Sequence, residues 1–201
     1  MSSISSNRRA LAALGKLRII GGSLRGSKLA VVDFEGLRPT PDRVRETLFN
    51  WLAPYMAGAR CLDLFAGTGA LGIEALSRGA AQVDFIERDA RLAQTLRENL
   101  VRLRQQSGRV RCADASAVLR EPPAQPCDLV FLDPPFASNL WDESARLLEA
   151  NAWLAPTALV YVESPLEQAL QLPSAWQLHR EGRAGAVRYA LYRRSAKLAA
   201  S

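Results

Sequence analysis

The 201-residue chain carries a formal charge of +6, with 48% hydrophobic and 23% charged residues. This length holds one substantial α/β domain with a small appendage and excludes two domains of ordinary size. No uninterrupted apolar run approaches the ~18 residues that a membrane span needs, so an integral membrane protein is excluded.

At the N-terminus a basic pair, Arg8-Arg9, precedes an apolar stretch of only Ala10 to Leu14. A secretory core runs about 7–15 apolar residues, so residues 1–16 are expected to form an arm rather than a signal. Leu17–Gly21 and Lys28–Val32 then flank Gly22-Ser23-Leu24-Arg25-Gly26, the pattern of a small two-stranded element with basic residues at its tip. Leu37-Arg38-Pro39-Thr40-Pro41-Asp42-Arg43 leads into a helix through about Leu52, with Thr40 expected as its cap and Pro41 at its first position. Residues 1–60 contain ten Arg or Lys against four Asp or Glu, whereas residues 61–201 contain sixteen of each. The basic excess therefore belongs to the N-terminal portion. A phosphate backbone is the commonest partner for such a patch, because each neutralised phosphate releases a condensed counterion; a solvated basic face is the plainer alternative.

From Arg60 onward, short apolar runs alternate with helical patterns, as in a parallel sheet of βαβ units. Strands are predicted at Arg60–Phe65, Gln82–Glu87, Arg109–Cys112, Leu129–Asp133 and Ala158–Glu163, and helices over about Leu71–Ser77, Ala90–Leu103, Ser116–Leu119 and Asp142–Asn151. Leu92, Leu96, Leu100 and Leu103 recur at helical spacing and read as core packing. Three prolines make Glu121–Pro126 a loop. Trp176–Arg183 and Val187–Arg194 read as a C-terminal antiparallel hairpin. The chain thus divides into an arm (1–16), a basic hairpin and helix (17–52), a catalytic α/β domain (53–195) and a tail (196–201). Cys61, Cys112 and Cys127 lack CxxC spacing and read as buried, reduced thiols of a cytosolic protein. The lone His179 has no metal-ligand spacing, and no metal is expected.

Asp63-Leu64-Phe65-Ala66-Gly67-Thr68-Gly69-Ala70-Leu71-Gly72 follows an apolar strand and opens a helix, with GxGxxG spacing. Glycines let this backbone turn tightly and approach a ligand, and the helix N-terminus adds free N–H groups. Glu87 ends the next strand, where a carboxylate can hold two ribose hydroxyls. A nucleoside cofactor follows, and Asp63 narrows the choice. Its carboxylate would repel a pyrophosphate but suits the cationic amino group of a methionyl moiety. Asp114 stands just after the third strand, and the plainer readings are a strand-end cap for Asp63 and a turn former for Asp114.

Val130-Phe131-Leu132-Asp133-Pro134-Pro135-Phe136 is the most specific feature in the chain. Two prolines stiffen the backbone and cannot donate, so the Pro134 carbonyl and the Asp133 carboxylate form a fixed pair of acceptors. An aromatic amino group offers two matching N–H donors. Its lone pair is delocalised into the ring, and two acceptors can pull the nitrogen toward tetrahedral geometry and aim that lone pair at a methyl donor. Phe136 can stack on the extruded base, a contact worth about 1–3 kcal/mol.

Taken with Arg18-Ile19-Ile20-Gly21-Gly22 and Arg38–Glu46, these motifs make the sequence resemble the RsmD-type family of bacterial methyltransferases, which act on guanine N2 in small-subunit (16S) ribosomal RNA. The resemblance implies a Rossmann-like class I methyltransferase, with a seven-stranded, mostly parallel sheet whose last strand is antiparallel and a small N-terminal β-hairpin extension. It implies S-adenosyl-L-methionine as cofactor, S-adenosyl-L-homocysteine as product, and cofactor contacts at Asp63, Phe65, Ala66, Gly67, Gly69, Glu87, Arg88, Asp114, Ala115 and Asp133. Asp114 would accept the adenine amino group, with the Ala115 N–H on a ring nitrogen. Catalysis falls to Asp133, Pro134, Pro135 and Phe136. Candidates for RNA contact are Arg18, Arg25, Lys28, Arg38 and Arg43, with Thr40 and Arg43 able to lie beside the cofactor instead. The expected setting is a cytoplasmic monomer acting on an assembling small subunit with ribosomal proteins bound. Two alternatives stand beside this reading: an adenine-N6 methyltransferase on DNA or RNA, whose amino group satisfies the same acceptors, and a non-catalytic RNA-binding assembly module.

Overall fold

The computed structural model describes residues 17–31 and 40–195. The expected arm, the tail, Val32 and Arg38 lie outside the described residues. A short hairpin comes first, with β1 (Leu17–Arg18) antiparallel to β2 (Lys28–Leu29), followed by helix α1 (Asp42–Leu52). Then β3 (Arg60–Asp63), α2 (Ala70–Ser77), β4 (Gln82–Glu87), α3 (Ala90–Arg102), β5 (Gly108–Cys112), α4 (Ala115–Leu119), β6 (Cys127–Leu132), α5 (Trp141–Ala150) and β7 (Leu154–Pro165) alternate. The described residues end with β8 (Trp176–Ala184) and β9 (Val187–Arg194).

The large sheet has seven strands in the order β5-β4-β3-β6-β7-β9-β8. β3 to β7 run parallel, while β9 is antiparallel to both β7 and β8. The expected methyltransferase-type sheet, with its antiparallel last strand, is therefore present.

Alternation along the strands divides the core between the two faces, as the period of two requires. Cys61, Phe85, Phe131 and Tyr161 join Leu48 and Phe49 of α1, Ile73 of α2 and Leu96 of α3 on one face. Leu62, Val130, Leu132 and Val160 join Val118 of α4 and Trp141 and Leu148 of α5 on the other. Both faces are covered, which is why the parallel strands read as continuous apolar runs.

Two local expectations are corrected. Thr40 does not cap α1: Pro41 occupies the cap position without a side-chain bond, and its carbonyl accepts from Val44 N and Arg45 N at 2.9 and 3.0 Å. The Thr40 hydroxyl instead turns inward and donates to Glu163 Oε2 at 3.2 Å. Cys61 and Cys127 are buried, but Cys112 is exposed, because β5 is the outer strand of the sheet and its side chains at Arg111 and Cys112 face solvent.

A polar network clamps the N-terminal hairpin onto α2. Glu74, fully buried, accepts from Ile20 N and Gly21 N, both at 2.8 Å, and from Arg78 Nε at 2.8 Å. Ser77 Oγ donates to the Gly21 carbonyl at 2.5 Å and accepts from Leu24 N at 2.9 Å. The buried guanidinium of Arg45 donates to the Arg18 carbonyl at 2.9 Å and lies 3.9 Å from Glu74 Oε2. Farther along, Asn99 of α3 exchanges two hydrogen bonds with the Ala30 backbone. The hairpin is thereby fixed to the sheet by groups drawn from α1, α2 and α3.

Candidate active site

In an open α/β sheet the ligand crevice forms beyond the carboxyl ends of the strands, where strand order reverses. Here that reversal lies between β3 and β6, and a cavity of about 500 Å³ opens there. Its wall takes Asp63 through Thr68 from the β3 loop, Glu87 and Arg88 from the end of β4, Ala113 to Ala115 after β5, and Asp133 to Ala137 after β6. Glu163 from β7, Thr40 and Pro41 before α1, and Ala184 and Val187 from the C-terminal hairpin complete it.

The β3 loop owes its shape to its glycines. Gly67 and Gly69 have φ of 51° and 75°, a region that side-chain-bearing residues rarely enter. Gly72 serves packing: a Cβ there would lie 2.1 Å from Phe85 Cε1. Two carboxylates brace the turn. Asp63 Oδ2 accepts from Gly72 N at 3.0 Å, and Glu87 accepts from Gly67 N and Asp89 N, both at 2.8 Å. Each keeps further lone pairs for a ligand. The strand-end cap and the ligand contact are therefore compatible roles for Asp63. Asp114 likewise caps α4 by accepting from Ala117 N at 3.0 Å while lining the cavity.

After β6, Pro134 is buried, Pro135 exposed, and Phe136 half-buried against Trp141 with ring centroids 6.0 Å apart. The Pro135 carbonyl is taken by Ser138, whose N–H donates at 2.9 Å. Asp133 opens into the cavity, and burial, then the charges of Glu163 and Asp63, hold its carboxyl well above the ordinary range. Burial also pushes Asp63 up to about 7, with the Gly72 N–H opposing and the Glu87 charge adding. Several acids crowd one cavity. Such a site is short of positive charge, and a cationic ligand relieves it.

Most cofactor candidates from the sequence line this cavity: Asp63, Phe65, Ala66, Gly67, Glu87, Arg88, Asp114, Ala115 and Asp133. Gly69 does not; it is buried beneath the loop as the cap of α2, where a Cβ would meet Leu96 Cδ1 at 2.2 Å. Thr40 reaches the cavity, whereas Arg43 is exposed away from it. Arg18, Arg25 and Lys28 are exposed on the hairpin. Glu163 was missed by motif reasoning, although an acid closing the apolar run Leu159-Val160-Tyr161-Val162 is the signal that marks it. Its Oε2 accepts from Tyr161 Oη at 2.8 Å as well as from Thr40. Among the described residues no group of His, Cys, Asp and Glu could hold a metal ion, and no helix is long and apolar enough to cross a membrane.

Residues 17–193 match the family described as Conserved hypothetical protein 95. The chain is 53% identical over 184 residues to Ribosomal RNA small subunit methyltransferase D of Escherichia coli, covering 91% of this chain and 92% of that one. The chain belongs to this RsmD-type methyltransferase family. A second member, the protein of the same name from Haemophilus influenzae, is 49% identical over 183 residues, covering 90% of this chain and 95% of the other. The solved structure of a putative methyltransferase, yhhF, from Escherichia coli superposes with a TM-score of 0.85 at 49% identity, covering 91% of this chain and all of that one. Family membership spans the hairpin, the glycine loop and the Asp-Pro-Pro-Phe turn alike.

Proposed function

We propose that the protein transfers a methyl group from S-adenosyl-L-methionine to the exocyclic N2 amino group of a guanine in small-subunit (16S) ribosomal RNA, forming N2-methylguanosine. The observation that carries this reading is the Asp133-Pro134-Pro135-Phe136 turn on the wall of an acid-lined cavity, in a chain 53% identical to a small-subunit ribosomal RNA methyltransferase.

The acids fit the cofactor: Asp63 would face its ammonium group, Glu87 its ribose hydroxyls, and Asp114 with the Ala115 N–H its adenine edge. When bound, this cofactor supplies the methyl group on an activated sulfonium and leaves as S-adenosyl-L-homocysteine. The chain's own work is then positioning. Asp133 Oδ and the Pro134 carbonyl accept the two amino N–H bonds, Phe136 stacks on the ring, and the prolines keep the acceptors from drifting. Well-oriented reactants of this kind recover up to roughly 7–11 kcal/mol of the barrier. Asp133, whose burial beside Glu163 and Asp63 makes its carboxylate a stronger base than usual, suits the role of acceptor for the proton released from nitrogen once a cationic cofactor in the cavity favours its ionised form. The exposed Arg18, Arg25, Lys28 and Arg43 support phosphate binding beside the cavity. The physiological substrate would be an assembling small-subunit particle, acted on by a cytoplasmic monomer.

The test is methylation of small-subunit particles and of free ribosomal RNA with labelled S-adenosyl-L-methionine, followed by nucleoside mass analysis and mapping. Labelled N2-methylguanosine at one position is expected, with particles preferred. Labelled N6-methyladenosine alone would reject the guanine assignment.

A further inference from the structure

Two features of Glu163 stand out. β7 pairs in parallel with β6 in a register that sets Leu132 opposite Val162, so Asp133, just past the end of β6, and Glu163, still within β7, come side by side on the wall of the same cavity. The second feature is how firmly Glu163 is held. Its main-chain carbonyl accepts from Trp141 Nε1 at 2.8 Å, and its Oε2 from Tyr161 Oη at 2.8 Å and Thr40 Oγ1 at 3.2 Å. Packing a second carboxyl group beside Asp133 is costly, because like charges oppose each other in a buried site.

We propose that Glu163 accepts a hydrogen bond from the N1–H of the target guanine and thereby selects guanine over adenine. The inference rests on the guanine-N2 reading above and deepens it. An extruded base is recognised on its Watson–Crick edge. On guanine that edge presents the N1–H donor next to the N2 amino donors, so two adjacent acceptor groups, Glu163 and the Asp133–Pro134 pair, meet adjacent donors. On adenine the amino group is flanked by an N1 lone pair. A carboxylate facing that lone pair leaves two buried acceptors without a proton between them, the arrangement by which polar sites reject a near-isostere. The acceptor pair alone cannot tell the two bases apart; a neighbouring fixed carboxylate can.

2-Aminopurine isolates the effect, because it keeps the 2-amino group but has an unprotonated N1. The experiment compares single-turnover methylation of the RNA substrate carrying guanine or 2-aminopurine at the target position, for wild-type protein and for Glu163→Gln. Wild type should favour guanine by at least roughly 10- to 100-fold. Glu163→Gln, whose amide can donate to N1, should slow transfer to guanine and bring the two substrates within a few-fold of each other, with affinity for S-adenosyl-L-methionine retained. Tyr161→Phe, which removes one of the groups holding the carboxylate, is the second variant and should lower the ratio more modestly. An unchanged guanine preference in Glu163→Gln that still binds cofactor overturns the proposal. If that variant does not fold, an unchanged preference in Tyr161→Phe overturns it. Wild-type protein that methylates adenine and not guanine defeats the underlying reading instead, so the two failures are distinguishable.

Discussion

At the scale of single residues, the cavity acids make predictions that differ in kind. Asp133→Ala should lower the transfer rate by about 100-fold or more, as loss of a donor or acceptor built for a transition state does, while calorimetry shows affinity for S-adenosyl-L-methionine little changed. Asp63 predicts a pH effect. Its folded-state pKa of about 7 lies above the ordinary value of 3.8, so in the apoprotein the folded state holds a proton that the unfolded chain has lost. Stability of the apoprotein should therefore fall as pH rises from about 4 to 7 and level off above 7, read as a declining denaturation midpoint. Ligand binding has the opposite sign, because a cationic ammonium group favours the ionised carboxylate. Affinity for S-adenosyl-L-methionine should strengthen between pH 5 and 7, by up to about tenfold per unit. Asp63→Asn should flatten both curves; curves of unchanged slope would remove Asp63 from the cofactor site.

At the scale of elements, Glu74 is the joint on which the N-terminal hairpin turns. It flanks the buried Arg45 guanidinium, which it shares with Asp42 at 2.6 Å and whose Nε and Nη1 have no hydrogen-bond partner among the described residues, and it holds two hairpin N–H groups. Removing Glu74 leaves the Ile20 and Gly21 N–H groups without their acceptor and takes away one of the two carboxylates beside Arg45, a loss of about 3–5 kcal/mol. Glu74→Ala should show a loss of that order in denaturant titration, and RNA affinity should fall more than cofactor affinity. Nothing local in the sequence announces this pair, since Arg45 and Glu74 lie on different helices and each looks like a solvated charge on an amphipathic surface. The strands were legible for the opposite reason: runs such as Leu129–Leu132 are apolar without alternation, which only a doubly covered sheet permits. The glycine loop and the Asp-Pro-Pro-Phe turn were legible because their backbone demands are met by few residue types. Thr40 misled because a threonine before Pro-Asp matches a helix cap, and the competing acceptor, Glu163, lies 123 residues away. Glu163 itself acquires meaning only from the β6–β7 register.

For the whole molecule, charge and topology set the substrate side. Arg18, Arg25 and Lys28 are exposed on a hairpin that is rigidly attached rather than tethered. Charge reversal at Arg25 and Lys28 should weaken binding to the RNA substrate and reduce the slope of log affinity against log salt by about one for each phosphate that is no longer neutralised. Cofactor affinity should not move, because neither residue lines the cavity. An unchanged salt slope would take the hairpin off the RNA.

The placement of β9 has a bearing on synthesis. Among the described residues β8 pairs only with β9, and β9 lies between β8 and β7. A growing chain that has completed β7 and β8 therefore still has β7 as an open edge, with unpaired N–H and C=O groups of the kind that recruit other strands. Sealing it waits for Val187–Arg194, which follow β8 in the chain. Until they emerge, the nascent protein is at its most vulnerable to mispairing, and cleavage just before Val187 should leave an aggregation-prone fragment rather than a slightly shorter enzyme.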